Sequence, residues 1–190
     1  MISKTKVIGT VGQNGSGKDE VLKYLNTKYN VPFIATGDVV RELTAQEGLK
    51  LTRENLGIIS ARYFHEFGKG YFVKLVAAKI RESNWKIAGI SGVRSPEDVT
   101  NLKGIFSEDF ILIRVFISDP RVRFDRMVKR GQGRDPLSYE QFLRQDNTEE
   151  NQFSLKEVES QADYTLSNDG TQDDLHREID KLISQNKILD

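Results

Sequence analysis

Between a short apolar run, Lys6–Val11, and a stretch of helical apolar spacing, Lys18–Lys28, the chain reads Gly12-Gln13-Asn14-Gly15-Ser16-Gly17-Lys18-Asp19. An apolar run after a charged start signals a strand, and Val21, Leu22 and Leu25 share one face of a helix. Strand, G-x-x-x-x-G-K turn and helix in that order make a phosphate-binding device. Glycines let the backbone turn sharply and aim its N–H groups inward. The helix N-terminus adds the positive end of its dipole. Lys18 is then placed to reach the β and γ phosphates of a nucleoside triphosphate. Gly12, Asn14, Gly15, Ser16, Gly17, Lys18 and Asp19 are the candidate nucleotide-binding residues. The plain alternative is an ordinary Gly-rich turn; a chance match is expected in roughly a few per cent of such chains. The residue after the Lys is usually Ser or Thr, whose hydroxyl helps to hold Mg²⁺. Here it is Asp19, which reads either as a hard oxygen ligand for Mg²⁺ or as a first-turn acid favoured by the dipole.

Strand and helix signals alternate along the rest of the chain. Pro32–Ala35, Trp85–Ile90, Phe110–Ile117 and Tyr164–Leu166 read as strands. Gly37–Gly48, Thr52–Phe67, Tyr71–Ser83 and Asp173–Gln185 read as helices. Three more helices open at Ser95-Pro96-Glu97-Asp98, at Asp119-Pro120 and at the capping-box pattern Ser138-Tyr139-Glu140-Gln141. Phe110–Ile117 is almost continuously apolar, as in strands buried on both faces of a parallel sheet. The alternation predicts one domain over residues 1–190: a doubly wound, three-layer α/β fold with about five parallel strands and helices on both faces. Ligands of such sheets sit beyond the carboxyl ends of the strands.

Composition narrows the function classes. Lys and Arg total 28, as do Asp and Glu. Without a basic excess, nucleic-acid and acidic-membrane binding lose weight, so neither partner is expected. The absence of Cys excludes a cysteine nucleophile and thiolate zinc sites. No run reaches the length of a membrane span or a signal-peptide core, and a cytoplasmic protein is expected, as a monomer or homodimer. His65 and His176 lie on helical patterns and read as packing or surface residues.

Charge is nevertheless polarised. From Arg121 to Arg144, seven basic residues (Arg121, Arg123, Arg126, Lys129, Arg130, Arg134, Arg144) face three acids, whereas residues 146–180 are strongly acidic. Arg123, Arg126 and Arg130 share one helical stripe, with Phe124 and Val128 on another, which predicts a guanidinium face opposite a core face. A plain solvated basic face is the alternative. Arg114, inside the apolar strand, reads as structural.

Thr36-Gly37-Asp38-Val39-Val40-Arg41 follows the second strand, and Ser91-Gly92-Val93-Arg94 follows the third. Asp38 is expected to cap the next helix. Arg41, one turn inside it, can fork onto a phosphate. With the Gly-rich loop, these stretches resemble the P-loop nucleoside monophosphate kinase group, in particular its adenylate-kinase-related or dephospho-CoA-kinase-like branch. The likeness runs from Val7 to about Leu182.

The resemblance implies that Thr36, Gly37, Asp38, Arg41 and Arg94 bind the acceptor, and that a helical insertion over about 37–83 helps to form its site. It implies a short lid over about 131–148, hinged at Gly131-Gln132-Gly133. Lid arginines Arg126, Arg130 and Arg134, with Lys18 and Arg94, would neutralise charge during transfer, and Arg144 would act from the next helix. Ser167-Asn168-Asp169-Gly170 would lie beside the adenine, or form a simple turn. Phe64, Phe67, Tyr71 and Phe72 either line the acceptor pocket or pack in the core. One departure stands out: the resembled kinases have Asp where this chain has Ser91, so either Asp19 takes over that acid's duty or catalysis is weak.

The expected protein is thus a kinase using ATP and Mg²⁺ to phosphorylate a nucleoside or deoxynucleoside monophosphate. Dephospho-CoA is the second acceptor. A nucleotide-dependent switch or assembly factor with slow hydrolysis is the rival class, and Ser91 is the feature that favours it.

Overall fold

A computed structural model describes residues 5–131 and 135–189, without the Arg53 side chain. Five strands, β1 (Lys6–Val11), β2 (Phe33–Ala35), β3 (Ile87–Ser91), β4 (Phe110–Phe116) and β5 (Tyr164–Ser167), form one sheet in the order β2-β3-β1-β4-β5. All its pairings are parallel. The helices are α1 (Lys18–Tyr29), α2 (Thr36–Gln46), α3 (Arg53–Phe67), α4 (Tyr71–Glu82), α5 (Pro96–Phe106), α6 (Pro120–Arg130), α7 (Tyr139–Phe153), α8 (Leu155–Ser160) and α9 (Gln172–Asn186). This is the expected α/β fold.

Each central strand feeds two cores, because successive side chains point to opposite faces. Val7 and Val11 of β1 join Phe110 and Leu112 of β4 beneath α2, α4 and α5. Ile8, Ile113 and Val115 face the other way, onto α1, β5 and α9. Burying a side chain of this size stabilises by about 1.5–3 kcal/mol, so these two cores hold the sheet in place. The register aligns Thr10 with Ser91, Val11 with Arg114 and Ala35 with Ser91. The carboxyl ends of β1, β2, β3 and β4 therefore open on one edge of the sheet. There the chain crosses from β3 on one side of β1 to β4 on the other, a topological switch point.

Local chemistry explains most boundaries. Ser95 and Asp98 complete a reciprocal capping box on α5, with Pro96 in the first turn. Thr171 and Asp174 do the same for α9. At α7 the box is only half made. Ser138 accepts from the Gln141 N–H, but Gln141 Oε1 accepts from the Leu137 N–H, one residue too early.

Several expectations need correction. Strand β3 starts at Ile87, not Trp85, and runs on to Ser91. Asp38 does not cap α2, which starts at Thr36 with Ala35 as its cap; Asp38 lies in the first turn, paired with Arg41. The short helix α8 was not expected. It follows α7 across Ser154, which takes a left-handed conformation (φ 54°) that sequence rules assign to Gly. The core face expected on α6 is also different, since Val128 is 51% exposed and Arg123 is buried. Helix α7 covers much of the segment expected to be a lid; Gln132, Gly133 and Arg134 lie outside the described residues.

Candidate active site

The loop between β1 and α1 is fixed from outside. Two glycines are sterically required. A Cβ on Gly12 would stand 2.2 Å from the Val115 carbonyl, and one on Gly17 would stand 2.3 Å from Asn168 Nδ2. Gly17 is also left-handed, at φ 94°. Asn168 Nδ2 donates to the Ser16 carbonyl at 2.8 Å. Arg123 donates to the Asn14 carbonyl at 3.0 Å and forks onto Asp146 at 3.1 and 2.5 Å. Arg126 holds the carbonyls of Asn168 and Gly170 at 2.9 and 2.7 Å. These ties leave the cleft side of the loop open. Among the described residues no side chain caps the α1 N-terminus, and the buried Ser16 hydroxyl has no hydrogen-bond partner. A helix start without its own cap suits an anion. Lys18, Lys23, Arg126 and Arg130 line the cleft with Asp19.

Arg126 and Arg130, expected on phosphate, are both engaged within the protein. Arg126 serves the Asn168 loop. Arg130 reaches Asp135 at 3.1 and 2.5 Å. That hydrogen bond is the first cause of an Arg130 pKa above the ordinary value, with a smaller Coulombic contribution from Asp19. Ser167–Gly170 is more than a simple turn, because Asn168 is buried against the phosphate loop. Arg114 donates to Glu159 at 3.0 Å.

Beyond the loop, a second cavity of about 470 Å³ lies among α2, α3, α4 and α5. That volume suits a small-molecule ligand. Of the five residues expected at the acceptor, Thr36, Gly37, Arg41 and Arg94 line it and Asp38 does not. Its apolar wall includes Leu56, Phe64, Phe72 and Phe153. Phe64 and Phe72 thus do line a pocket, whereas Phe67 is 48% exposed. A third cavity shares walls with both clefts. It shares Arg94 and Phe153 with the one and Asn14, Met127 and Arg130 with the other. Arg144 lines this third cavity.

Three contributors escaped the sequence reading. Lys69 adds a third cation to the cavity. Glu149, on α7, accepts from Asn14 Nδ2 at 2.8 Å and stands 3.9 Å from Arg94. It joins the phosphate loop to the acceptor arginine, though in the sequence it is one acid in an acidic run. Asp98 fixes the Arg94 backbone: its Oδ2 accepts from the Arg94 and Ser95 N–H groups at 2.9 and 3.0 Å. Burial is the largest influence on this carboxyl and pushes it up to about 6, against the lowering effect of those hydrogen bonds.

The raised Asp98 pKa has a definite sign. From 3.8 in the unfolded chain to about 6 in the fold, the folded state holds the proton more tightly, so stability falls as pH rises through that window. An amide at this position keeps the two accepted hydrogen bonds without the buried charge. Asp98→Asn is expected to be more stable at pH 8, by up to about 3 kcal/mol. The gain should vanish below pH 4. Urea denaturation at pH 4, 6 and 8 reads the difference directly, and a gain independent of pH would refute it.

A family model described as an AAA domain matches residues 11–142. The chain is also 37% identical over 185 residues to a UPF0200 protein of Thermococcus onnurineus, covering 96% of this chain and 98% of that one. The chain belongs to both families. A UPF0200 protein of Pyrococcus horikoshii is 36% identical across 96% of the chain and 97% of its own length. The UPF0200 fold is also that of known kinases. Shikimate kinase from Acinetobacter baumannii, solved with shikimate, superposes with a TM-score of 0.58 at 18% identity, covering 98% of this chain and 97% of its own. A gluconokinase from Sinorhizobium meliloti gives 0.55 at 14%, covering 100% and 99%. This UPF0200 chain therefore shares the fold of these P-loop kinases. The nearer likeness to nucleoside monophosphate kinases rests on the motifs alone.

Proposed function

We propose that this protein is an ATP-dependent kinase that phosphorylates a nucleoside or deoxynucleoside monophosphate. One observation carries the reading: between the phosphate loop and a cavity that combines an aromatic wall with Arg41, Lys69 and Arg94 lies a third cavity that shares walls with both. Aromatic faces suit a base, and guanidinium forks suit its phosphate. An acceptor phosphate oxygen attacks the γ-phosphorus of ATP. The new O–P bond forms as the bond to the β–γ bridging oxygen breaks, and ADP leaves without a covalent enzyme intermediate. The protein positions the reactants and neutralises charge through Lys18, Arg94 and the arginines beside the loop. Arg134 is proposed as a further contributor on the sequence alone.

The donor set fits Mg²⁺. Among the described residues no three His, Cys, Asp or Glu side chains gather as a metal cage. Mg²⁺ on a nucleotide needs no cage, only one or two carboxylates beside the phosphates, and Asp19 at the loop supplies one. Held there, the ion would screen the phosphate charge.

Glu149 supports a second reading. A carboxylate at the junction of donor and acceptor clefts can take a proton from a hydroxyl, which favours a hydroxyl acceptor that also bears phosphate, such as dephospho-CoA. A coupled ADP-release assay with Mg·ATP decides between the two, screened over common nucleoside and deoxynucleoside monophosphates and dephospho-CoA. Release well above the ATP-only rate with a monophosphate supports the first reading, and with dephospho-CoA the second. Turnover with none of them refutes both. Arg41→Ala is expected to raise the acceptor KM about 10- to 100-fold, the loss of one charged hydrogen bond, with little change in the ATP KM. The reverse pattern would overturn the assignment of the cavity.

A further inference from the structure

We infer that the carboxylate and the hydroxyl that serve Mg²⁺ in a P-loop site have exchanged positions in this protein, so that Asp19 supplies the carboxylate and Ser91 the hydroxyl that orients it. The inference deepens the kinase reading and rests on it. In P-loop NTPases the ion is held by a Ser or Thr next to the loop lysine and by an acid on a neighbouring strand. Here the residue next to Lys18 is Asp19, and the residue ending β3 is Ser91. Taken singly, each looks like a defect. The structure joins them: Ser91 Oγ donates to Asp19 Oδ1 at 2.7 Å.

The placement is specific. Ser91 pairs in register with Thr10 of β1 and Ala35 of β2, so it sits beneath the loop at the carboxyl edge of the sheet. It is only 7% exposed. A first-turn acid serving only the helix dipole has no need of a buried hydroxyl from another strand. An Asp and a Ser also span the same gap between two backbones whichever side carries which. The exchange conserves the charge, the donor atoms and the combined length of the pair. It also removes the one feature that favoured a weakly active switch, because the missing strand carboxylate is present on the helix instead.

The hydroxyl's single proton goes to Oδ1. That hydrogen bond fixes how the Asp19 carboxyl is turned at the loop. Ser91 is accordingly a positioning residue, whose loss weakens the metal more than the nucleotide.

The test measures Mn²⁺ binding by the disappearance of the free-ion electron paramagnetic resonance signal, with the full chain and ADP. It does not depend on phosphoryl transfer. Asp19→Ser is expected to weaken Mn²⁺ binding about 100-fold, and Ser91→Ala about tenfold, the range typical of ligand-orienting partners. ADP affinity without metal should change little. The double variant Asp19→Ser/Ser91→Asp is expected to recover Mn²⁺ affinity to within about tenfold of the parent, since 1.4 kcal/mol is a factor of ten. Thermal melts of every variant confirm that the fold is retained. A folded double variant as weak as Asp19→Ser overturns the exchange, whatever the activity of the parent. An exchange that restores Mn²⁺ binding in a protein that transfers phosphate to no acceptor leaves the inference standing and refutes the kinase reading. Mn²⁺ that binds no better with the protein and ADP than with ADP alone overturns the inference.

Discussion

Lys18→Ala is expected to lower kcat for acceptor-dependent ADP release by at least about a thousandfold while leaving the melting temperature within about 2 °C of the parent. The kinetic part follows from charge. Transfer spreads negative charge over the equatorial oxygens of the γ-phosphoryl, and one fixed donor aimed at such charge is worth about 10²- to 10³-fold in rate. A full cation adds Coulomb attraction to its hydrogen bonds, so the effect lies at or above that range. The structural part follows from position. Lys18 is the first residue of α1, where Ala is the best helix former, and the loop is held by Asn168, Arg123 and the buried core beneath it. Steady-state kinetics and a thermal melt on the same preparation separate the two. A folded variant with kcat within tenfold of the parent would remove Lys18 from the mechanism.

Much of this site was legible because its devices are local. Gly12–Asp19 carries its meaning in contiguous residues, and the strand before and helix after it are local too. The same holds for Ser95-Pro96-Glu97-Asp98, whose N-cap, first-turn proline and first-turn acids form as its pattern requires. Thr36, Arg41 and Arg94 came to one cavity because each follows a parallel strand, and parallel strands end on one edge.

What escaped depends on contacts distant in sequence. A helical stripe gives an angle around α6, not the partner it faces. Arg123, Arg126 and Arg130 share the stripe, yet their partners are Asp146, the Asn168 loop and Asp135. Glu149 is one acid among many until the fold sets it 2.8 Å from Asn14. Ser91 and Asp19 lie 72 residues apart, and neither predicts the other without the sheet register. Helix α8 was missed for a different reason, a serine in a backbone conformation that composition assigns to glycine.

Arg123→Ala is expected to cost about 3–5 kcal/mol of stability, near the top of the range for single substitutions. The side chain is 2% exposed, lies over the Phe142 ring and forks onto Asp146. Removing it strands a mostly buried carboxylate, and the uncompensated charge, more than the lost attraction, sets the size of the effect. For a chain of this length the melting temperature should fall by about 10 °C or more. The pair itself need not be net stabilising, because a buried ion pair replaced by apolar side chains of similar volume is often neutral or better. Arg123→Met/Asp146→Leu should therefore recover most of the lost stability. It should not recover nucleotide binding, since methionine has no donor for the Asn14 carbonyl that Arg123 holds at 3.0 Å. The phosphate loop would then be anchored at Ser16 but loose at Asn14, and the ATP KM should stay raised about tenfold, the scale of one hydrogen bond to a charged group. Urea denaturation and ATP titration of the two variants distinguish the outcomes. Recovery of both properties would make Arg123 a packing residue, whereas recovery of stability alone would make it the anchor that shapes the loop for phosphate.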